Sequence, residues 1–156
     1  MTKFERMLVA FCVLLGTACA ASSVAAQSVR IANAWARATA PGQKTASVYI
    51  DLTSDRDAAL VAAGSPVAGR AELHSMTVES GVMRMRPLPR VDLPAGQTVK
   101  LAPNGMHLML LDLKQPLKQG DKLPLALSVQ VSGASLTTLN IEVEVRAVDG
   151  SGSHKH

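Results

Sequence analysis

Short runs of alternating apolar and polar residues recur along this chain, and turn signals separate them. Such alternation places apolar side chains on one face of an extended strand, whereas an amphipathic helix needs a repeat near 3.6 residues, which does not persist here. The alternation is clearest in residues 48–52, 125–131 and 141–145. Turn residues stand between such runs at Pro41-Gly42, Pro94-Ala95-Gly96, Asn104-Gly105 and Gln119-Gly120-Asp121. The pattern predicts an all-β fold, an antiparallel β-sandwich.

The first 26 residues have the composition of a secretory signal peptide. Lys3 and Arg6 give a positive start, residues 7–20 form a nearly uncharged apolar run, and small residues precede Gln27. The apolar run is too short to be a membrane span, and a cleavage pattern follows it. We therefore predict that residues 1–26 are removed on export; an uncleaved anchor is the alternative.

Both cysteines of the chain, Cys12 and Cys19, lie within this leader. The mature chain is therefore expected to have no disulfide, no thiol redox centre and no thiolate for a blue-copper site. A lipoprotein anchored through Cys19 is the less well supported alternative, because Gly16 stands where a lipobox has leucine.

The predicted mature chain is long enough for one domain with a substantial core. From Gln27 onward it carries 14 basic and 11 acidic side chains, a modest and scattered excess of positive charge. Trp35 and Tyr49 are its only aromatic residues, so it lacks the stacking surfaces of nucleic-acid-binding proteins. We predict one domain over residues 27–148, a flexible Gly/Ser-rich tail over 149–156 and no nucleic-acid partner.

Two histidines and two methionines have the spacing of a soft-metal site. Ten residues separate His74 from Met85, and twenty-one more separate Met85 from His107-Leu108-Met109. Thioether sulfur and neutral imidazole favour Cu(I) over Zn, Mg or Ca. His107 and Met109 open an apolar run after a turn, so a strand there would project both side chains from one face. Taken singly, each methionine fits core packing equally well.

The spacing is the point at which the chain resembles a known family, the periplasmic copper chaperones written PCu(A)C. The signature of that family is His, ten residues, Met, twenty-one residues, His-x-Met, and the resemblance runs from Ala34 to about Val148. Supporting stretches are residues 34–39, 40–43, 65–68, 72–74, 81–85 and 113–117. The resemblance implies a cupredoxin-like Greek-key sandwich. It also implies that the Cu(I) ligands are His74, Met85, His107 and Met109.

One departure from the family concerns the residue after the first histidine, where the family often has methionine and this chain has Ser75. The sequence leaves open whether Met76 replaces that donor. Met76, Met83 and Met106 are otherwise interpreted as core residues or as support for the ligands.

The resemblance implies a periplasmic Cu(I) carrier that passes copper by ligand exchange. The implied acceptor is the copper-containing subunit of a respiratory haem-copper oxidase, with a Sco-type thiol protein as a candidate second partner. Copper buffering or tolerance is one alternative, and a secreted sandwich that binds no metal is another. No hydrolase, phosphate-loop, zinc-protease or dinucleotide motif occurs in the chain, so we expect no enzyme. We also expect the carrier to be a monomer.

Two further histidines, His154 and His156, lie in the predicted tail. Imidazoles without thioethers suit Cu(II) better than Cu(I), which suggests a weak accessory Cu(II) site. A solvated tail with two incidental histidines is an equally good interpretation.

Overall fold

The computed structural model describes residues 28–147, and this range is built from β-strands and turns. None of the described residues forms a helix able to cross a membrane. The predicted signal peptide at 1–26, and residues 149–156 with His154 and His156, lie outside the described residues. The strands are β1 (Val29–Arg37), β2 (Thr45–Ser54), β3 (Ala58–Gly64), β4 (Ala68–Glu79), β5 (Val82–Leu88), β6 (Val91–Leu93), β7 (Thr98–Leu101), β8 (His107–Leu113), β9 (Lys122–Val131) and β10 (Leu136–Arg146).

The strands join in one continuous path, in the order β5-β4-β8-β2-β1-β10-β9-β3-β6, with β7 also paired to β2. The sheet folds over so that β3 comes to lie against β4, and its inner face encloses the core. The predicted all-β sandwich is confirmed. The pairing is not antiparallel throughout, because β1 and β10 run parallel. These two strands come from opposite ends of the chain, so no hairpin turn sets their relative direction.

The alternating runs at residues 48–52, 125–131 and 141–145 all contribute buried apolar side chains to the core. On β9 every second side chain is buried, and on β8 Leu108 and Leu110 are fully buried. Successive side chains of a strand point to opposite faces. His107 and Met109 therefore lie on the outer face of the sheet, behind the leucines that hold β8 in the core.

Candidate metal centre

A group of histidines and methionines occupies the outer face of strands β5, β4 and β8. His74 is directly opposite His107 across β4 and β8, and Met76 is directly opposite Met85 across β4 and β5. Direct partners in an antiparallel ladder share a face, as do residues two apart along one strand. Because Leu73 points into the core, its neighbour His74 and the whole group project outward.

His74 lies at the centre of the four predicted ligands. Its direct partners are His107 on β8 and Pro87 on β5. Met109 is two residues from His107 along β8, and Met85 is two residues from Pro87 along β5. Both methionines are therefore diagonal neighbours of His74. Diagonal neighbours lie about 7–8 Å apart, a gap that long side chains can bridge. The fold thus brings all four predicted residues to one patch on three adjacent strands.

The two imidazole rings are close enough to bind one ion. Their centroids are 5.9 Å apart and the ring planes cross at 61°. A metal about 2 Å from each ligating nitrogen lies about 3 Å from each ring centre, so two rings on one ion are at most about 6 Å apart. The rings are also shielded, since His107 is 3% exposed and the His74 side chain is 13% exposed.

Each imidazole has one nitrogen engaged and one nitrogen without a protein partner. His107 donates its Nδ1–H to the carbonyl oxygen of Gly105 at 3.1 Å, and His74 donates its Nε2–H to Glu72 Oε2 at 2.9 Å. Within residues 28–147, His74 Nδ1 is the one buried side-chain nitrogen or oxygen that lacks a hydrogen-bond partner. Such an unpaired buried group costs about 1–3 kcal/mol, a cost that a bound metal would offset. The site therefore fits a metal ion.

The methionines differ in exposure. Met85 is 44% exposed, whereas Met109 and Met76 are half-buried. Met106 packs against the core, in line with its predicted role. Met83 was interpreted as a core residue or as support for the ligands, and its 58% exposure excludes the core alternative. Met83 shares the outer face with Met85, so it forms part of the surface around the candidate site.

The departure from the family at residue 75 has little geometric consequence. Ser75 neighbours His74 along β4 and so projects from the opposite face of the sheet. Met76 projects from the same face as His74 and lies opposite Met85. The sequence left the role of Met76 open. Its spacing of two residues from His74 was the signal that could have placed both side chains on one face of a strand. Met76 is a fifth candidate donor.

Both aromatic side chains of the described residues extend the same outer face beyond the histidines. The rings of Trp35 and Tyr49 are in contact in a tilted arrangement, with centroids 4.5 Å apart and planes inclined by 44°, and the Arg146 guanidinium lies 5.7 Å from the Trp35 ring centre. Val48 pairs with Leu108, so one further step along this antiparallel register brings Tyr49 opposite His107. The buried Tyr49 and the half-buried Trp35 therefore border the imidazoles on the β2 side, which sequence reasoning did not anticipate.

Among the described residues, no cluster of three or more His, Cys, Asp or Glu side chains could hold a metal. The histidine pair is accompanied by thioethers instead. Fold and site together define a PCuAC-type domain, as the resemblance predicted. The chain belongs to the LpqE-like family, which matches residues 29–143.

Individual relatives agree with this assignment. Protein Lxx21020 of Leifsonia xyli subsp. xyli, which carries a lipoprotein name, is 32% identical over 169 residues, covering 100% of this chain and 98% of the relative. The solution structure of CuI-DR1885 from Deinococcus radiodurans is 30% identical with a TM-score of 0.57, covering 78% of this chain and 81% of that one. The copper-bound PCuAC domain from PmoF2 has a TM-score of 0.61 and covers 77% and 93%; at 23% identity it supports the fold alone.

Proposed function

We propose that this protein binds one Cu(I) ion on the outer face of β5, β4 and β8 and carries it to an acceptor protein. The proposed ligands are His74, Met85, His107 and Met109. The observation that carries the proposal is the unpaired, buried Nδ1 of His74, with an imidazole opposite and thioethers on both diagonals. Imidazole and thioether donors suit a soft, singly charged ion. The Cu(I) form of the Deinococcus radiodurans relative supports the choice of metal.

Exposure suggests the order in which copper ligands are exchanged. His107 and His74 are largely buried, whereas Met85 is the most exposed of the four. A donor atom of the acceptor would reach the ion from the β5 side and would replace Met85 first. Met76, opposite Met85, would hold the ion during this step as an auxiliary donor. The buried imidazoles would leave last.

The ligand set suits an oxidising compartment, which supports a periplasmic location. Thiolates oxidise there, whereas thioethers persist longer, and the chain from Gln27 onward has no cysteine. We propose that the acceptor is the copper subunit of a haem-copper oxidase, with a Sco-type thiol protein as second partner, and that the protein has no enzymatic activity. The mass of the mature protein separates cleavage before Gln27 from a lipidated Cys19.

Anaerobic Cu(I) titration against a chromophoric chelator tests the binding function. Wild type should bind one ion, and His107→Ala or Met109→Leu should weaken binding at least about tenfold, or ~1.4 kcal/mol. Met106→Leu is the matched control, because Met106 packs against the core, and it should bind as wild type does. Equal affinities for Met109→Leu and Met106→Leu would contradict the ligand assignment.

Copper transfer separates a carrier from a buffer. The Cu(I)-loaded protein is mixed with a soluble copper-accepting oxidase domain, and the metal content of each is measured after separation. A carrier should deliver its ion to the acceptor. Retention of copper by a protein that binds it would instead favour periplasmic buffering.

A further inference from the structure

Glu72 makes the hydrogen bond that sets the orientation of the His74 ring. The two residues are two apart on β4 and share the outer face, and Oε2 of Glu72 lies 2.9 Å from Nε2 of His74. A carboxylate accepts hydrogen bonds and does not donate them, so the hydrogen lies on Nε2. In a neutral imidazole the lone pair is then on Nδ1, the buried atom that has no partner.

We infer that Glu72 is a positioning residue that presents Nδ1 of His74 to copper, while His107 binds through Nε2. This inference rests on the proposed function. The carboxylate itself is a hard oxygen donor and a poor ligand for Cu(I). Glu72 therefore acts through His74 and not on the ion.

The contrast between the two histidines comes from what holds each ring. The Nδ1–H of His107 is held by a backbone carbonyl, that of Gly105, which leaves Nε2 available. His74 is held by a side chain, so its orientation depends on a residue that mutation can remove. The two imidazoles thus present different nitrogens to the same ion.

Glu72 is itself held in place along the strand. Arg70 Nε lies 3.7 Å from Glu72 Oε1 and 3.5 Å from Asp112 Oδ2. The arginine engages one carboxylate oxygen and leaves the other, Oε2, for His74. These groups are partly exposed, so their ion pairs contribute little to folding stability. Their effect is on the direction of the carboxylate.

The apoprotein provides the first test, by long-range proton–nitrogen NMR of the imidazoles at mildly alkaline pH. We expect the hydrogen on Nε2 in His74 and on Nδ1 in His107. After loading with Cu(I), the nitrogen resonance that shifts on metal binding should be Nδ1 in His74 and Nε2 in His107. Finding the apo His74 hydrogen on Nδ1, or copper on Nε2 of His74, would overturn the inference.

Variants of Glu72 provide the second test. Loss of an outer partner of a metal-bound histidine typically costs about 10–100-fold in affinity, so Glu72→Ala should weaken Cu(I) binding by that factor and give mixed Nδ1 and Nε2 coordination of His74. Glu72→Gln keeps an oxygen acceptor and should restore most of the affinity and pure Nδ1 coordination. Glu79→Ala is the control, because Glu79 lies on the opposite face of β4 and pairs with Arg84 and Arg86.

The outcomes distinguish this inference from the proposed function. Wild-type affinity and coordination in Glu72→Ala would overturn the positioning role while leaving copper binding intact. A wild-type protein that binds no Cu(I) would reject the proposed function. The apo spectrum of the wild-type protein reports on the Glu72–His74 arrangement in either case, and it remains a test of the inference if Glu72→Ala fails to fold.

Discussion

At the scale of single residues, the candidate site depends on which face of β4 each side chain occupies. His74 and Met76 project from the outer face, whereas Ser75 between them projects from the opposite face. Exposure then separates the outward residues, with buried imidazoles at the centre and Met85 at the rim.

Met85→Leu should increase the rate of copper loss more than any other single methionine change, because Met85 is the most exposed of the four proposed donors and the one that an acceptor would meet first. We expect Cu(I) binding to weaken about tenfold, or ~1.4 kcal/mol, mainly through a faster off-rate. Stopped-flow transfer to a chelator measures this rate. Met83→Leu is the matched control on the same strand and face, and a similar acceleration in both variants would contradict the assigned role of Met85.

Ser75→Met restores the methionine that the family often has at this position, yet it should leave Cu(I) affinity within about twofold of wild type. The reason is that residue 75 projects from the face opposite to His74. Met76→Leu, tested beside it by the same chelator competition, should weaken binding measurably. A clear gain in affinity for Ser75→Met would show that a side chain at 75 does reach the ion.

At the scale of elements, β4 is the strand that assembles the site, because it pairs with β5 on one edge and β8 on the other. If the register of β4 with β5 or with β8 shifted by one residue, the candidate ligands on the shifted strand would project from the face opposite to His74. The close approach of β4 to β8 requires a small residue at Gly69, where an added Cβ would lie 2.9 Å from the Cβ of Asp112. Asp112 is itself in the left-handed region, with φ of 55°.

Gly69→Ala should therefore destabilise the protein by about 1–3 kcal/mol, the usual cost of forcing an extra group into a filled space. Urea denaturation followed by circular dichroism measures the change. The control is Gly64→Ala at the end of β3, where nothing lies within 4 Å of the added Cβ. Equal loss in the two variants would indicate a general effect of glycine replacement and not the contact with Asp112.

At the scale of the whole molecule, the sandwich supports candidate ligands that lie on its outside. The core residues of β8 and β4 alternate with the candidate ligands, so packing of the interior sets the position of the site. A site built on strands changes shape little when it is empty, and this keeps donors ready for the ion. The donor set, more than the shape of the support, then decides which metal binds.

Metal choice is the prediction at this scale. With thioethers and imidazoles as donors, Cu(I) should bind much more tightly than Zn(II) or Cu(II). Competition at equal free metal concentrations, with bound metal measured after gel filtration, gives the order. Displacement of Cu(I) by Zn(II) at comparable free concentration would contradict the proposed donor set.

Local sequence and tertiary structure determine different features of this protein. Alternation of apolar and polar residues is a local property, and together with the turn signals it was enough to predict strands at residues 48–52, 125–131 and 141–145, four of the turns and the all-β class. The spacing of His74, Met85, His107 and Met109, with its family resemblance, was enough to nominate four ligands; their coordination of copper stays a prediction.

Pairing between distant strands is not local, because register depends on which edges meet after the chain has folded. Only the folded structure could therefore show the parallel contact of β1 with β10, the position of Met76 opposite Met85 and the exposure of Met83. For the same reason the partners of each imidazole, Glu72 and the carbonyl of Gly105, were invisible in the sequence: a hydrogen bond requires particular atoms at a particular distance, which spacing along a chain does not specify.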